Sequence, residues 1–432
     1  MPPDFKSRRA RVAEAVKPAV LVLFSAPLAI RNNDVEHEYR QDSDFYYLTG
    51  FDEQESVLVL QSAPTLRLTL FVRPRDPERE TWDGPRAGVE GAVSEFGADA
   101  AYPISELATR LPDLIENSDS IHYRIGRARE NDDVVLAALD KVRGRSRLGV
   151  SCPRAIVDPA YVLHELRLHK DESELGLMDR AAEITAEAHA LAMAQTAPGK
   201  YEYEIEALLR AVFRRRGSER PAYSPIVGSG PNATILHHRR NDRMMNDGEL
   251  LLIDAGCEFG YYASDVTRTF PVSGKFSDPQ RAVYQIVLDA QLAAIEKTLP
   301  GRTFDEVHRA AAEVVARGLI ELGVIQGPLD EALEQQRHKP FFMHKTSHYL
   351  GMDVHDVGSY HLLGKPRPLS AGMVITVEPG LYFGANDQRV PEPLRGIGVR
   401  IEDDVLVTDG AASVITRAIP KGIDEVELAC AG

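Results

Sequence analysis

The segment LLLIDAGCEFGYYASDVTRTF, residues 250–270, decides how the chain is interpreted, because two acids interrupt its apolar strand patterns. Asp254 lies in the first apolar run and Asp265 in the second. A tight turn at Phe259-Gly260 would make the two runs a hairpin in which these aspartates face each other directly. Two carboxylates about 5 Å apart in a buried hairpin repel each other and must share a proton or bind a cation. We favour a cation.

A second pair of acids repeats this pattern. Glu378 interrupts the apolar residues 374–379, and Glu402, preceded by Arg400, interrupts residues 398–407. One buried acid is usually a hydrogen-bond acceptor with a structural role, but four in comparable strands favour a metal site. Carboxylates suit Mn²⁺ or Mg²⁺, and added imidazoles shift the preference toward Mn²⁺, Co²⁺ or Zn²⁺. Four negative charges balance the charge of two divalent ions.

Histidines supply candidate nitrogen ligands. Four histidines precede the second acid pair: His344, His348, His355 and His361. Two more, His237 and His238, precede the first hairpin. The i, i+4 spacing of His344 and His348 is weak evidence by itself, since surface histidines often show it. Glycines and aspartates around them predict a loop that aims several imidazoles into one cavity.

The pattern of elements changes near residue 168, where we place a domain boundary between residues 1–168 and 169–432. The first part predicts an α/β domain whose strands cover residues 19–25, 56–61, 67–73, 120–125 and 147–151. Asp171 and Glu174 then form a capping-box signature at the start of a long helix. The length of 432 residues is consistent with two or three domains.

The second domain is predicted to be internally duplicated. At an offset of 102 residues, Pro198-Gly199-Lys200 aligns with Pro300-Gly301-Arg302, and helices are expected after both. Asp278 with Pro279 predicts the cap of one helix, and Thr303 with Glu306 the cap of the next. Each half then contains helix, helix and strands, which predicts helices outside one curved, mostly antiparallel sheet.

The composition excludes some partners and sites. Lys and Arg number 50 against 65 Asp and Glu, and the net charge of −15 repels nucleic acid and anionic membranes. No apolar run reaches the roughly 20 residues of a membrane span, and no signal-peptide cleavage pattern follows the basic N-terminus. Three cysteines without a Cys-x-x-Cys pair predict neither a disulfide framework nor a thiolate zinc site. We expect a cytoplasmic protein without nucleic-acid or membrane partners.

Six motifs together resemble the bacterial aminopeptidase P (Xaa-Pro aminopeptidase) family and span nearly the whole chain. They are SDFYYLTGF at 43–51, IDAGC at 253–257, DVTRTFP at 265–271, SHYLG at 347–351, VEPG at 377–380 and RIED at 400–403. The resemblance implies a creatinase-like N-terminal α/β domain and a duplicated pita-bread catalytic domain. It also implies a homodimer or homotetramer that cleaves peptides with proline in second position.

The resemblance further implies roles for individual residues. The ligands of two Mn²⁺ ions per subunit would be Asp254, Asp265, His348, Glu378 and Glu402, with Co²⁺ or Zn²⁺ also able to bind. A hydroxide bridging the ions would attack the peptide, and Glu378 would act as general base. His237, His344 and His355 would line the substrate channel, Arg400 would lie beside the metals, and Asp34 would help bind the peptide amine.

One departure and two alternatives remain open at this point. His238-Arg239-Arg240 replaces a less basic stretch of the family pattern, which leaves local specificity undecided. A prolidase acting on Xaa-Pro dipeptides has the same fold and metal ligands, and Arg400 or Arg239 could bind a dipeptide carboxylate. A metal-free binding protein on the same scaffold would have lost the acids, which are all present here.

Overall fold

The computed structural model describes residues 3–432. By contacts between Cα atoms the chain divides into two compact units, one ending at Leu166 and the other covering residues 167–432. Among the described residues, none of the helices combines the length and hydrophobicity that a membrane span requires.

The N-terminal unit is built on a six-stranded sheet with helices on it. Its helices are α1 (Phe5–Val16), α2 (Ser43–Thr49), α3 (Pro77–Asp83), α4 (Gly88–Ser94), α5 (Leu107–Ile115), α6 (Arg129–Gly144) and α7 (Ala160–Leu168), which runs across the unit boundary. Its strands are β1 (Ala19–Phe24), β2 (Ile30–Asn32), β3 (Val35–Glu36), β4 (Val57–Gln61), β5 (Arg67–Val72), β6 (Ala100–Pro103), β7 (Ser120–His122) and β8 (Ala155–Val157).

The order of the main sheet is β6-β5-β4-β1-β7-β8. Strand β1 is antiparallel to β4 and parallel to β7, and nearly all of its residues are buried, as expected for a strand covered on both faces. Four of the five strands predicted here are confirmed. The strand predicted at residues 147–151 is wrong: a 3₁₀ turn covers Ser146–Leu148, and Gly149, with φ 79°, is left-handed rather than extended.

The C-terminal unit contains the repeated arrangement that the sequence predicts. Its helices are α8 (Glu172–Gln195), α9 (Glu202–Arg215), α10 (Asp278–Glu296), α11 (Phe304–Glu321), α12 (Leu329–Glu334) and α13 (Ile423–Cys430). Its first strands are β9 (Arg220–Pro221), β10 (Ile226–Ser229), β11 (Leu250–Asp254), β12 (Cys257–Phe259), β13 (Tyr262–Ala263) and β14 (Thr267–Pro271). The later strands are β15 (His361–Leu362), β16 (Lys365–Pro366), β17 (Val374–Val377), β18 (Gly380–Tyr382), β19 (Gly398–Arg400), β20 (Asp403–Leu406) and β21 (Ser413–Val414).

The helix starts follow from local sequence. Asp171 and Thr303 cap α8 and α11 through the predicted capping boxes. Helix α10 differs by one residue from the prediction, because Ser277 is the N-cap and the helix begins at Asp278. Helices α9 and α11 begin 102 residues apart, at positions 202 and 304. The helices cover antiparallel ladders. Helices and strands share one continuous apolar core, which includes Ile253 and Val377.

Candidate functional site

Asp254 ends strand β11 and Asp265 lies just before β14, in a register that differs from the prediction. Phe259 pairs with Tyr262, so the hairpin turn is Gly260-Tyr261, and both turn residues have positive φ, 56° and 70°. Two left-handed central residues are what a two-residue type I′ turn needs, and Gly260 takes the first of these positions rather than the second. Asp254 consequently pairs with Thr267. The prediction that Asp254 and Asp265 face each other directly is wrong.

The two aspartates nevertheless belong to one face of the hairpin. Backbone hydrogen bonds from Ala255 to Val266 and from Ser264 to Cys257 continue the same register past the end of β11. This register sets Asp265 opposite residue 256, two positions from Asp254, so the aspartates are diagonal neighbours on the same side. The carboxylates are close enough for the charge of Asp265 to raise the pKa of Asp254, after the larger effect of burial.

The second pair of acids does face each other directly. Val377 pairs with Asp403 in the β17–β20 ladder, and Gly380 pairs with Arg400 in the β18–β19 ladder. Both pairings have the same register, so Glu378 and Glu402 lie opposite each other between the two ladders. The Glu402 N–H also donates to the Thr267 carbonyl at 3.0 Å, which joins this pair to the first hairpin.

Three side chains already form a cluster able to hold a metal ion. One ligand atom each of Asp265, His348 and Glu402 lies within 4.8 Å of the others. His348 Nε2 is 3.4 Å from Asp265 Oδ2 and 3.7 Å from Glu378 Oε1. Carboxylate oxygens with one imidazole are a donor set that suits divalent ions such as Mn²⁺, Co²⁺ and Zn²⁺. The residues present therefore fit a divalent metal.

The electrostatics of the metal-free cluster show why it requires cations. Burial, followed by the charges of its acidic neighbours, raises the pKa of Glu402 well above its usual value. Burial likewise raises the pKa of Glu378 to about 7. Burial acts to lower the pKa of His348, but Asp265 and Glu378 outweigh it and raise this pKa to about 9. Bound protons thus replace part of the positive charge that metal ions would bring.

Neighbouring groups hold these acids in place. The Thr267 hydroxyl donates to Glu402 Oε2 at 2.6 Å, and the Tyr223 hydroxyl donates to Asp254 Oδ1 at 2.5 Å. The Asp404 carboxylate accepts from the Asp265 N–H at 3.2 Å. Sequence reasoning missed Tyr223, which no local pattern distinguishes. Asp404 was detectable as one more acid in the apolar residues 400–407.

Arg400 connects the acids to an aromatic hydroxyl. Its Nη2 donates to Asp254 Oδ2 at 2.7 Å, its Nη1 to the Tyr382 hydroxyl at 2.9 Å and its Nε to Thr267 Oγ1 at 3.0 Å. The Tyr382 hydroxyl is also 2.9 Å from His344 Nε2. Each guanidinium nitrogen therefore already has a partner inside the protein.

The predicted histidines are placed differently from one another. His344 Nδ1 is 3.7 Å from Glu378 Oε2, and the rings of His348 and His355 meet edge to face with centroids 4.4 Å apart. Burial lowers the pKa of His344 to about 4, so its imidazole is neutral. His237 is exposed on the loop after β10. His361 lies on the exposed strand β15.

The departure at His238-Arg239-Arg240 has a structural explanation for its first residue. His238 is buried, and its Nε2 is 3.0 Å from Oε2 of the fully buried Glu202. Arg239 and Arg240 are exposed, and Arg240 pairs with Asp242 at 2.7 Å. His238 thus fastens the loop that carries the neighbouring His237.

The candidate residue Asp34 and the exposed Trp82 lie in the N-terminal unit. Asp34 is exposed in the turn between β2 and β3. Trp82, the only tryptophan of the chain, is 83% exposed on α3 and so does not pack in the core.

Comparison with known protein families agrees with this architecture. Residues 176–409 match Metallopeptidase family M24, and residues 5–122 match the family described as Aminopeptidase P, N-terminal domain. The two matches fall within the C-terminal and N-terminal units, respectively.

Individual relatives cover nearly the whole chain. The Xaa-Pro aminopeptidase of Haemophilus influenzae is 44% identical over 98% of this chain and 96% of its own length, and that of Escherichia coli is 43% identical with the same coverage. The structure of Pseudomonas aeruginosa aminopeptidase PepP matches with a TM-score of 0.97, 45% identity and coverage of 100% of this chain and 98% of that one. A zinc-substituted E. coli aminopeptidase P in complex with product matches with a TM-score of 0.96 and 42% identity, covering 99% and 97%.

The expected fold class, an N-terminal aminopeptidase P domain and a C-terminal pita-bread domain, is confirmed by these matches. Four acids from both halves of the duplicated unit converge with one histidine, and the similarity to the relatives extends over nearly the whole chain. The chain belongs to the metallopeptidase family M24 and, within it, to the Xaa-Pro aminopeptidases.

Proposed function

We propose that the protein removes the N-terminal residue from peptides whose second residue is proline. The observation that carries this proposal is the convergence of four acids and His348 from both halves of the C-terminal unit. The relatives named Xaa-Pro aminopeptidase, similar along their whole length, support the same substrate class.

Asp254, Asp265, His348, Glu378 and Glu402 would hold two divalent ions, and we propose Mn²⁺ as the activating metal. The support is the donor set, since four carboxylates balance the charge of two divalent ions and one imidazole favours a transition metal. When bound, such ions polarise the scissile carbonyl and lower the pKa of water. Five ligands from separate segments would set the geometry.

Glu378 is the residue we assign as general base. Its carboxylate lies between His344 and His348, 3.7 Å from a ring nitrogen of each. A carboxylate at this position can take a proton from water and release it again. Glu378 would take a proton from the attacking water and deliver it to the proline nitrogen that leaves.

The remaining groups orient the substrate. Neutral His344 and His355, with His237 on its loop, would hydrogen-bond the peptide and the oxyanion that forms at the carbonyl, for about 2 to 4 kcal/mol of barrier lowering. Arg400 keeps Asp254 and Tyr382 in fixed positions. The binding of the peptide amine by Asp34 stays a prediction.

Prolidase activity is the second candidate, and one observation weighs against its proposed basis. A prolidase could use Arg400 to bind the dipeptide carboxylate, but all nitrogens of this guanidinium donate to Asp254, Tyr382 and Thr267. Arg239 is exposed and could still approach such a group.

Peptide hydrolysis by the Mn²⁺-loaded protein tests the proposal. Ala-Pro-Ala, Ala-Ala-Ala and the dipeptide Ala-Pro are compared at pH 8, with Glu378→Ala as the control for a contaminating peptidase. We expect release of alanine from Ala-Pro-Ala alone or in large preference. Cleavage confined to Ala-Pro would establish a prolidase, and preferential cleavage of Ala-Ala-Ala would contradict proline selectivity.

We also propose a cytoplasmic homodimer or homotetramer. The three cysteines are all free, which agrees with a reducing compartment. Trp82 exposes 83% of its surface on the N-terminal unit, and a buried position in an assembly would remove this apolar area from water. Light scattering of the purified protein should give a mass of two or four chains, and a monomeric mass would refute the assembly.

A further inference from the structure

A buried ion cluster lies in the segment that follows His348, and we call it the Asp356 clamp. Arg167 Nη2 is 2.7 Å from Asp356 Oδ1 and 2.8 Å from Asp353 Oδ2. Lys170 Nζ is 2.9 Å from Asp356 Oδ2. The side chains of Arg167, Lys170 and Asp356 are at most 2% exposed. Charges this deeply buried are costly unless their geometry is kept, so the clamp fixes its residues tightly.

The backbone around the clamp is closely packed. The Asp356 N–H donates to the Tyr349 carbonyl at 2.9 Å and closes the loop of residues 349–356. A Cβ on Gly351 would lie 2.2 Å from Asp356 Oδ2 and 2.8 Å from Cε of Lys170, so only glycine fits inside this loop. Arg167 and Lys170 therefore hold the carboxylate of Asp356, and the bond to Tyr349 holds its backbone.

His355 is the neighbour of this anchored residue, and its ring has no hydrogen bond within residues 3–432. The ring is exposed, and its contact with the proposed reaction centre is the edge-to-face approach to His348 at 4.4 Å. An imidazole without a hydrogen bond of its own takes its position from its backbone. The adjoining Asp356 fixes that backbone.

We propose that Asp356, held by Arg167 and Lys170, is a positioning residue that sets His355 against His348. Asp356 touches neither substrate nor metal in this role, and it acts through the neighbouring histidine. The importance of His355 for turnover rests on the proposed function. The position of its ring does not, because it is a property of the fold.

A double-mutant cycle tests whether Asp356 acts through His355. Asp356→Asn should lower kcat at least 10-fold with KM changed less than threefold and Mn²⁺ content unchanged. In a His355→Ala background the same Asp356→Asn substitution should change kcat less than twofold, since its target is already absent. Equal losses in both backgrounds would show a purely structural residue and overturn the proposal.

Crystal structures give a readout that needs no activity. In Asp356→Asn the two imidazole centroids should separate by more than 1 Å or the His355 ring should become disordered, and a retained 4.4 Å contact would overturn the proposal. Glu427→Gln is the matched control. Glu427 lies on α13, away from the loop, and its buried carboxylate pairs with Lys275 and Arg281. It should leave the contact and kcat unchanged.

A milder variant decides the question if Asp356→Asn does not fold. Lys170→Met leaves Asp356 paired with Arg167 and should show the same loss of kcat at a smaller size, between threefold and 10-fold. Wild-type kcat in Lys170→Met together with an unmoved His355 ring would refute the clamp. Failure of the wild-type protein to cleave Xaa-Pro peptides would refute the proposed function. The position of the His355 ring in the crystal structures would then still test the Asp356 clamp.

Discussion

Glu378 lies near two histidines, and burial raises its pKa to about 7 when no metal is bound. Replacing it by alanine removes a proposed ligand and the proposed base together. We expect Glu378→Ala to lower kcat by about 10³-fold or more while the circular dichroism spectrum stays unchanged. Retention of more than a tenth of the activity would contradict the assignment as general base.

Tyr223 is a supporting residue whose contribution can be isolated. Its hydroxyl donates to Asp254 Oδ1 at 2.5 Å, and losing such support around a metal ligand typically costs 10-fold to 100-fold in metal affinity. We expect Tyr223→Phe to weaken Mn²⁺ binding by about this factor in a competition titration. Tyr203→Phe, at a residue 49% exposed on α9, is the control and should bind Mn²⁺ as wild type does. Equal affinities in the two variants would contradict the supporting role.

The residues of the site differ in how far sequence could identify them. Acids inside apolar strands need a reason to be there, and this made Asp254, Asp265, Glu378 and Glu402 visible. Tyr223 and Tyr382 could not be found, because nothing in the neighbouring sequence distinguishes either tyrosine and their hydroxyl partners Asp254 and Arg400 are 31 and 18 residues away. Their roles exist only in the folded chain.

At the level of elements, the hairpin of β11 and β14 depends on a glycine. A Cβ on Gly256 would lie 1.7 Å from the Ser264 carbonyl oxygen, closer than any real contact. We expect Gly256→Ala to destabilise the C-terminal unit by about 3 kcal/mol or more and to abolish tight Mn²⁺ binding, because the two sides of the hairpin that carries both aspartates must separate. Urea unfolding and a metal titration measure the two effects.

Gly176→Ala is the matched control for that variant. Gly176 lies exposed within α8, has no atoms in the way of a Cβ, and alanine is a better helix former by about 1 kcal/mol. It should leave metal binding unchanged and stabilise the protein slightly. A stable, metal-binding Gly256→Ala would contradict the close approach of the two strands.

Element positions were largely predictable, whereas pairing was not. Capping residues such as Asp171 and Thr303 act within a few residues of themselves, so sequence gives the starts of their helices to within a residue. Register depends on the turn type, and a shift of the turn from Phe259-Gly260 to Gly260-Tyr261 moved the partner of Asp254 by two positions. Short segments carry the weakest sequence signal for a strand, as the wrong prediction at residues 147–151 shows.

For the whole molecule, the metal-free site predicts an unusual dependence of stability on pH. The pKa of His348 is raised to about 9, that of Glu378 to about 7 and that of Glu402 well above its usual value. Between pH 6.5 and 9 the folded chain therefore holds more protons than the unfolded chain, and the free energy of unfolding falls as pH rises. The melting temperature of chelator-treated protein should drop by several degrees over this interval.

Metal should reverse this trend, because the ligands bind it in their deprotonated forms. We expect saturating Mn²⁺ to raise the melting temperature more at pH 8.5 than at pH 6.5, as measured by calorimetry at constant ionic strength. A metal-free protein that becomes more stable from pH 6.5 to pH 9 would contradict the proton-loaded cluster.

The shared register of the two ladders around Glu378 and Glu402 restricts where the chain can change its length. Backbone hydrogen bonds of Phe383 with Gly396 and Ile397 extend the pairing of β18 with β19 by one more step. Residues 384–395 connect the strands beyond these bonds, so insertions or deletions there leave every cross-strand partner in place. One residue added between Ile375 and Glu378 would instead turn that carboxylate to the opposite side of the strand. A foreign loop can therefore be grafted into the connection between β18 and β19, but not into the few residues on either side of Glu378 and Glu402.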